Sequence, residues 1–229
     1  PELMFFAAVI NYFVVKNEKL MPDKCGDSGV YIDEGTNFLT FKELFQQMRE
    51  AIERVHMNGR FKAHILRNLD TYIDKDPNVP KLLKKLHENG KVTFLVTNSD
   101  WEYTDGLMKF LFDHEEFKNK SWRDYFHLVV VDARKPKFFT EGTPLWEVNI
   151  ETGEKTLSTS NKMEPGKVYH GGNVAQLEDA IMLPGITGKS VLYVGDHIYG
   201  DVLKVKKNKG WKTFLIVEEL NHQLTCYAE

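Results

Sequence analysis

Two aspartates five residues apart carry the chemistry most readily named in this chain. Asp196 and Asp201 close the segment Val191-Leu192-Tyr193-Val194-Gly195-Asp196-His197-Ile198-Tyr199-Gly200-Asp201. Hard carboxylate oxygens of this kind suit a Mg²⁺ ion and, through it, a phosphate ester. Alone, the pair reads equally well as one capping and one solvated aspartate. A second group is Thr97-Asn98-Ser99. If it opens a helix, the unpaired backbone N–H groups and the positive dipole end make an anion site there. The plainer account is that these side chains only cap the helix. The third group is Lys135, which Pro136 keeps out of the helical region. Its ammonium is a point charge able to reach a phosphate, although loop lysines are ordinarily just solvated. Taken together, a hydroxyl, a lysine and paired aspartates belong to phosphoryl chemistry.

Such groups work only if the chain brings them together, and the apolar patterning indicates how. Short apolar runs predict strands at Val92–Val96, Leu128–Val131, Val191–Val194 and Lys212–Val217. The Val191 run is expected to be a buried, parallel-type strand. Helical patterns lie between the runs. Ser99 and Glu102 form a capping box before Tyr103, Leu107, Phe110 and Leu111. Val202, Leu203 and Val205 lead to Lys209, with Gly210 as the stop. Strands alternating with helices predict an α/β fold, a doubly wound and mostly parallel sheet. Three successive strands then end in Thr97/Asn98, Lys135 and Asp196, on the crevice where such sheets bind ligands.

Upstream, Leu3 to Val15 is apolar all round and predicts a buried helix. Lys16 to Asn37 reads as an irregular connection. Thr40 and Glu43 open a helix whose core stripe is Phe41, Leu44, Phe45, Met48, Ile52 and Val55. Arg49, Glu53, His56 and Arg60 share its other side, which spacing alone favours as a solvated, ion-paired face. One helix is expected through Ile65, Leu66, Leu69, Tyr72 and Ile73. Pro80 opens another, stopped at Asn89-Gly90. Between 136 and 185 glycines multiply. A hairpin of Thr143–Ile150 with Lys155–Ser158 and a helix over Val174–Leu183 are expected there. This gives a core of 1–135 and 186–229, with 136–185 as an insertion or cap that 57–64 joins.

The length suits one α/β domain with a modest insertion, and the net charge is −3. Lys204, Lys206, Lys207 and Lys209 form only a short cluster on one helix, so no nucleic-acid partner is expected. Cys25 and Cys226 stand far apart and in no metal-ligand spacing, which reads as two free thiols in a reducing compartment. No apolar run approaches a membrane span. A cytoplasmic protein without a membrane partner is expected, and a start at Pro1 inside a helical pattern suggests part of something longer.

The motifs narrow further. Phe94-Leu95-Val96-Thr97-Asn98-Ser99-Asp100, Tyr103-Thr104-Asp105, Val131-Asp132-Ala133-Arg134-Lys135-Pro136 and Gly195 to Asp201 closely resemble one family. It is the cytosolic purine 5′-nucleotidase family, IMP/GMP-preferring, of the haloacid dehalogenase superfamily. Gly210-Trp211-Lys212-Thr213-Phe214 and Glu219-Leu220 continue the resemblance. It implies a haloacid dehalogenase-like core and Mg²⁺-dependent hydrolysis of purine nucleoside 5′-monophosphates through an aspartyl-phosphate, with phosphotransfer to a nucleoside as a further outcome. It implies that Thr97, Asn98 and Ser99 hold phosphate and that Lys135 neutralises its charge. Asp196 would bind the metal and Asp201 would support its shell. Arg49, Glu53, His56 and Lys62 would contact the base, with Glu53 where an aspartate is expected and Met57 where an aromatic is. Tyr199 and Lys207 would match a site for an activating nucleotide. A homo-oligomer is expected.

One departure matters. The superfamily attacks phosphate with an aspartate in a D-x-D-x-T segment after its first strand. Asp74-Lys75-Asp76 has part of that spacing but follows a helix and precedes Pro77. The expectation is therefore a carboxyl-side portion of an enzyme, without its nucleophile and inactive when isolated. The alternatives are a non-catalytic nucleotide-binding or regulatory relative, and a phosphatase for other small phosphate esters.

Overall fold

The computed structural model describes residues 2–17, 28–32, 37–113, 120–181, 187–217 and 219–228. The chain forms two compact units, one up to Arg67 and one from Asn68 onward.

In the first unit, helix α1 (Glu2–Asn17) precedes an antiparallel hairpin of β1 (Gly29–Ile32) and β2 (Asn37–Thr40), in which Val30 faces Leu39. Strand β1 lies in the stretch expected to be irregular, where a strand of four residues leaves too short a pattern to read. Helix α2 (Phe41–Met57) starts as predicted: the Thr40 side chain accepts from the Glu43 N–H while the Glu43 carboxylate accepts from the Thr40 N–H. Leu44 and Met48 are buried. The buried helix expected over Leu3–Val15 is a helix but not a buried one, since Leu3 is 78% and Val15 70% exposed. Phe6 packs edge-on against Phe41 and Phe45, so α1 covers one side only. Apolar composition states what a surface prefers, not what meets it. Helix α3 (Arg60–Arg67) ends the unit.

The helix expected through Ile73 is broken. Asn68, at φ −135°, leaves the helical region, and α4 (Leu69–Tyr72) is a separate turn. Helix α5 (Asn78–Glu88) follows and stops at Asn89 and Gly90, whose φ of +66° favours glycine. A four-stranded sheet then has the order β3 (Phe94–Val96), β4 (Leu128–Val131), β6 (Val168–Gly171), β5 (Leu145–Glu147). The pairings β3–β4 and β4–β6 are parallel, whereas β5 runs antiparallel to β6. Helix α6 (Trp101–Leu111) connects β3 towards β4, and α7 (Val174–Ile181) follows β6. Two of the four strands thus come from the stretch expected as an insertion. β6 has no apolar alternation to announce it, since its sequence is Val-Tyr-His-Gly and every residue is buried.

The remaining strands, β7 (Leu192–Gly195) and β8 (Lys212–Leu215), form a separate parallel pair around α8 (Lys204–Lys209), and α9 (Glu219–Ala228) follows. Among the described residues no ladder joins this pair to the larger sheet, so the single doubly wound sheet appears as two. β7 is also not buried on both faces. Tyr193 is 6% exposed, but Leu192 and Val194 alternate with it at 56% and 53%. Tyr193 packs its ring against Phe94, Phe139 and Trp211, and this aromatic cluster joins β7 to the core of the larger sheet. The architecture is α/β with mixed and parallel sheets. No described helix is long and apolar enough to cross a membrane.

Candidate functional site

The site is built at the carboxyl end of β3. The Thr97 N–H donates to the Val130 carbonyl (2.9 Å), which extends the β3–β4 pairing by one residue. The Thr97 hydroxyl then accepts from the Ser99 N–H at 3.1 Å, turning the chain. Ser99 is not the helix cap. Its carbonyl accepts from the Asp132 N–H (2.7 Å), and Asp100 caps α6 by accepting from the Tyr103 N–H at 2.9 Å. The capping role has moved one residue because the Thr97–Ser99 turn is fastened to the chain beyond β4. The Ala133 N–H, donating to the Thr97 carbonyl at 2.9 Å, fastens it a second time.

Lys135 is held by both ends of one amide side chain. Its N–H donates to Asn98 Oδ1 (2.6 Å), and Asn98 Nδ2 donates to its carbonyl (3.2 Å). Getting there takes unusual backbone: Asp132 and Arg134 lie at φ +44° and +58°, and the Lys135–Pro136 peptide is cis. Left-handed non-glycine residues persist only where their surroundings fix them. The lysine side chain, 15% exposed, donates from Nζ to Asp201 Oδ1 at 2.8 Å and to the Tyr193 hydroxyl at 3.3 Å.

Asp201 is 3% exposed and both its oxygens are engaged. Oδ2 accepts from the His197 N–H at 3.2 Å, in a π-helical turn (Ile198–Leu203) that His197 opens by accepting the Gly200 N–H on Nδ1. Such turns recur at functional sites. Gly195 makes the packing possible, because a Cβ there would stand 2.6 Å from the Asp201 carboxyl carbon. Tyr193 completes the cluster, its hydroxyl 3.4 Å from Asp201 Oδ1 and 3.5 Å from the Val96 carbonyl. Burial, and then the charge of Asp201, push its phenol far above the ordinary range, so it stays protonated.

Asp196 is exposed at the end of β7. Among the described residues no three acidic, imidazole or thiol side chains converge as a metal cage. Mg²⁺ does not need one, since it keeps several waters and is commonly held by one or two carboxylates plus substrate phosphate. Asp196 fits that donor set. Asp201 has both carboxylate oxygens engaged, one with the Lys135 ammonium and one with the His197 N–H.

The structure therefore brings Thr97, Asn98, Ser99, Lys135 and Asp201 together on β3, β4 and β7 ends, with Asp196 five residues before Asp201. Tyr199, 70% exposed, borders an open depression with Leu203, Lys204, Lys206 and Lys207. Arg49, Glu53, His56 and Lys62 belong to the first unit. Arg49 and Glu53 pair at 3.8 Å on the surface of α2, and His56 stands edge-on to Phe61. Tyr193 was not singled out from sequence, because inside an apolar run it reads as core. The available signal was a buried phenol, which needs a partner for its hydroxyl.

A family model described as the 5′ nucleotidase family matches residues 1–229. The chain is 32% identical over 178 residues to a 5′-nucleotidase domain-containing protein of Dictyostelium discoideum, covering 77% of this chain and 30% of that protein. It is 29% identical over 224 residues to 5′-nucleotidase domain-containing protein 2 of Rattus norvegicus, covering 98% of this chain and 35% of that protein. The chain thus spans about a third of the length of these relatives.

Proposed function

This chain belongs to the 5′-nucleotidase family, and we propose that it carries the phosphate- and metal-binding part of an enzyme that hydrolyses purine nucleoside 5′-monophosphates such as IMP and GMP. The observation that supports this most is the double hold on Lys135, whose backbone is bonded by the Asn98 amide and whose ammonium is bonded by the Asp201 carboxylate. In the proposed reaction Thr97 and Asn98 orient the phosphate oxygens, and Lys135 offsets their charge. Asp201 and Tyr193 hold the ammonium in place. Asp196 would hold Mg²⁺, which supplies Lewis-acid stabilisation of the transferring phosphoryl group when bound. The attacking aspartate and its acid–base partner do not occur among these residues in a D-x-D-x-T segment and are proposed to lie outside this stretch. The stretch alone is expected to bind substrate without turning it over, since such units fail as a whole. With that segment present, a nucleoside in place of water would accept the phosphoryl group.

Base contacts are assigned to Arg49, Glu53, His56 and Lys62. Tyr199 and Lys207 are assigned to an activating nucleotide, the ring for stacking and the ammonium for phosphate. The setting is proposed to be cytoplasmic and the working form a homo-oligomer.

Calorimetric titration of the chain with IMP, with and without Mg²⁺, tests the reading. Binding is expected to need Lys135 and to lose its Mg²⁺ dependence in Asp196→Asn. Equal, metal-independent binding by both proteins would overturn the metal assignment. A sugar phosphate that competes as well as IMP would overturn the nucleotide assignment.

A further inference from the structure

The bent loop that carries Lys135 has a prop in the neighbouring strand β6. His170, in β6, pairs across the ladder with Val131, the residue before the loop begins. It is 8% exposed, and its Nε2 lies 2.5 Å from Asp132 Oδ2. Among the described residues the other ring nitrogen, Nδ1, is buried with no hydrogen-bond partner. A proton on Nδ1 would bury an unsatisfied donor, whereas a lone pair there costs less. This arrangement favours a neutral imidazole with its proton on Nε2, donating to the Asp132 carboxylate. The edge of its ring meets Trp146 on β5, with centroids 5.6 Å apart, so the imidazole has little freedom to turn away.

Asp132 is where the loop first departs from ordinary backbone, at φ +44°, and its N–H holds the Ser99 carbonyl. Arg134, the next left-handed residue, approaches the other carboxylate oxygen only to 3.8 Å from Nε and is itself largely exposed. His170 is therefore the one closely bonded, buried partner of that carboxylate among the described residues. We propose that His170 is a positioning residue that holds the Asp132–Lys135 loop, and with it the Lys135 ammonium, in the conformation that receives phosphate. Its link to phosphate rests on the function proposed above, while the part concerning the loop does not.

The test uses the chain itself. A long-range proton–nitrogen correlation spectrum at neutral pH should show His170 protonated on Nε2 alone. Imidazolium, or a proton on Nδ1, would overturn the proposal. In His170→Leu, amide exchange at Asp132 and Ala133 should accelerate about ten- to a hundredfold, the loss of one hydrogen bond to a charged group. Val129 and Val130 should be unaffected. His170→Gln, which keeps a donor, should restore slow exchange. Acceleration spread evenly through β4, or no restoration by glutamine, would reduce His170 to a packing residue and overturn the proposal. Inorganic phosphate with Mg²⁺ is the second probe: His170→Leu should weaken it by a similar factor and His170→Gln should not. If wild type keeps the exchange pattern but ignores phosphate, the functional reading fails and the loop assignment stands.

Discussion

Lys135 and Asp201 form a contact in which each charge depends on the other. Both side chains are largely withdrawn from water, at 15% and 4% exposure. Removing one partner of such a pair strands the other and typically costs about 3–5 kcal/mol. Lys135→Ala is therefore expected to lower unfolding free energy by about that amount in urea titrations. Lys135→Met combined with Asp201→Leu should cost less than the two single changes together, because no uncompensated charge remains. The His170 ring gives a pH signature of its own. Burial pulls its proton affinity below the usual imidazole range, with Lys155 adding to the effect and Asp132 opposing it. The unfolded chain then binds the proton more readily, so this contribution is complete above about pH 6.5 and is lost as pH falls below it. Thermal unfolding scanned downward from neutrality should show that loss, and His170→Gln should flatten it. Thr97, Lys135 and Asp201 were legible from sequence because residue type and order carry their chemistry. Tyr193 and His170 were not, because each sits in a strand where its neighbours are apolar and its polar atom serves a partner far along the chain.

At the scale of elements, the helix starts divide into one that local rules settle and one that they do not. Thr40 and Glu43 satisfy each other within a single turn, and sequence sufficed. At Ser99 the same pattern was outbid by the loop beyond β4, which claims the Ser99 carbonyl and leaves Asp100 to cap. The same limit hid β6, whose pairing with β4 is set by the sheet and not by its own alternation. Gly195 shows how tightly one strand end is specified. Gly195→Ala would bring a methyl group within 2.6 Å of the Asp201 carboxyl carbon, whose Oδ1 is already bonded to the Lys135 ammonium. The variant is expected to keep its helical circular dichroism and to lose IMP binding in calorimetry. Unaltered affinity would show that Asp201 can shift without consequence.

Over the whole molecule, the fold class was readable and the continuity of the sheet was not. Apolar runs at Leu128–Val131 and Val191–Val194 look alike in sequence, yet the first is buried throughout and the second on one side only. Counting apolar residues cannot distinguish them, because the difference lies in what covers each face. Stability should follow coverage. Trp211, 1% exposed, anchors the aromatic cluster, and Trp211→Ala is expected to cost about 3–5 kcal/mol. Phe214, three residues on in β8 and 56% exposed, should tolerate serine within about 0.5 kcal/mol. Comparable losses for both, measured by chemical denaturation, would contradict this division of the pair.

The bonds that close the site join Asn98 to Lys135 across 37 residues and Lys135 to Asp201 across 66. Contacts so remote along the chain come late in folding, after the loops between them have been drawn shut. On a translating ribosome, the ammonium would therefore have no carboxylate to receive it until the Asp201 segment had been made. A nascent chain that had not yet reached Asp201 would present a lysine without its counter-charge, and phosphate affinity would wait on that segment.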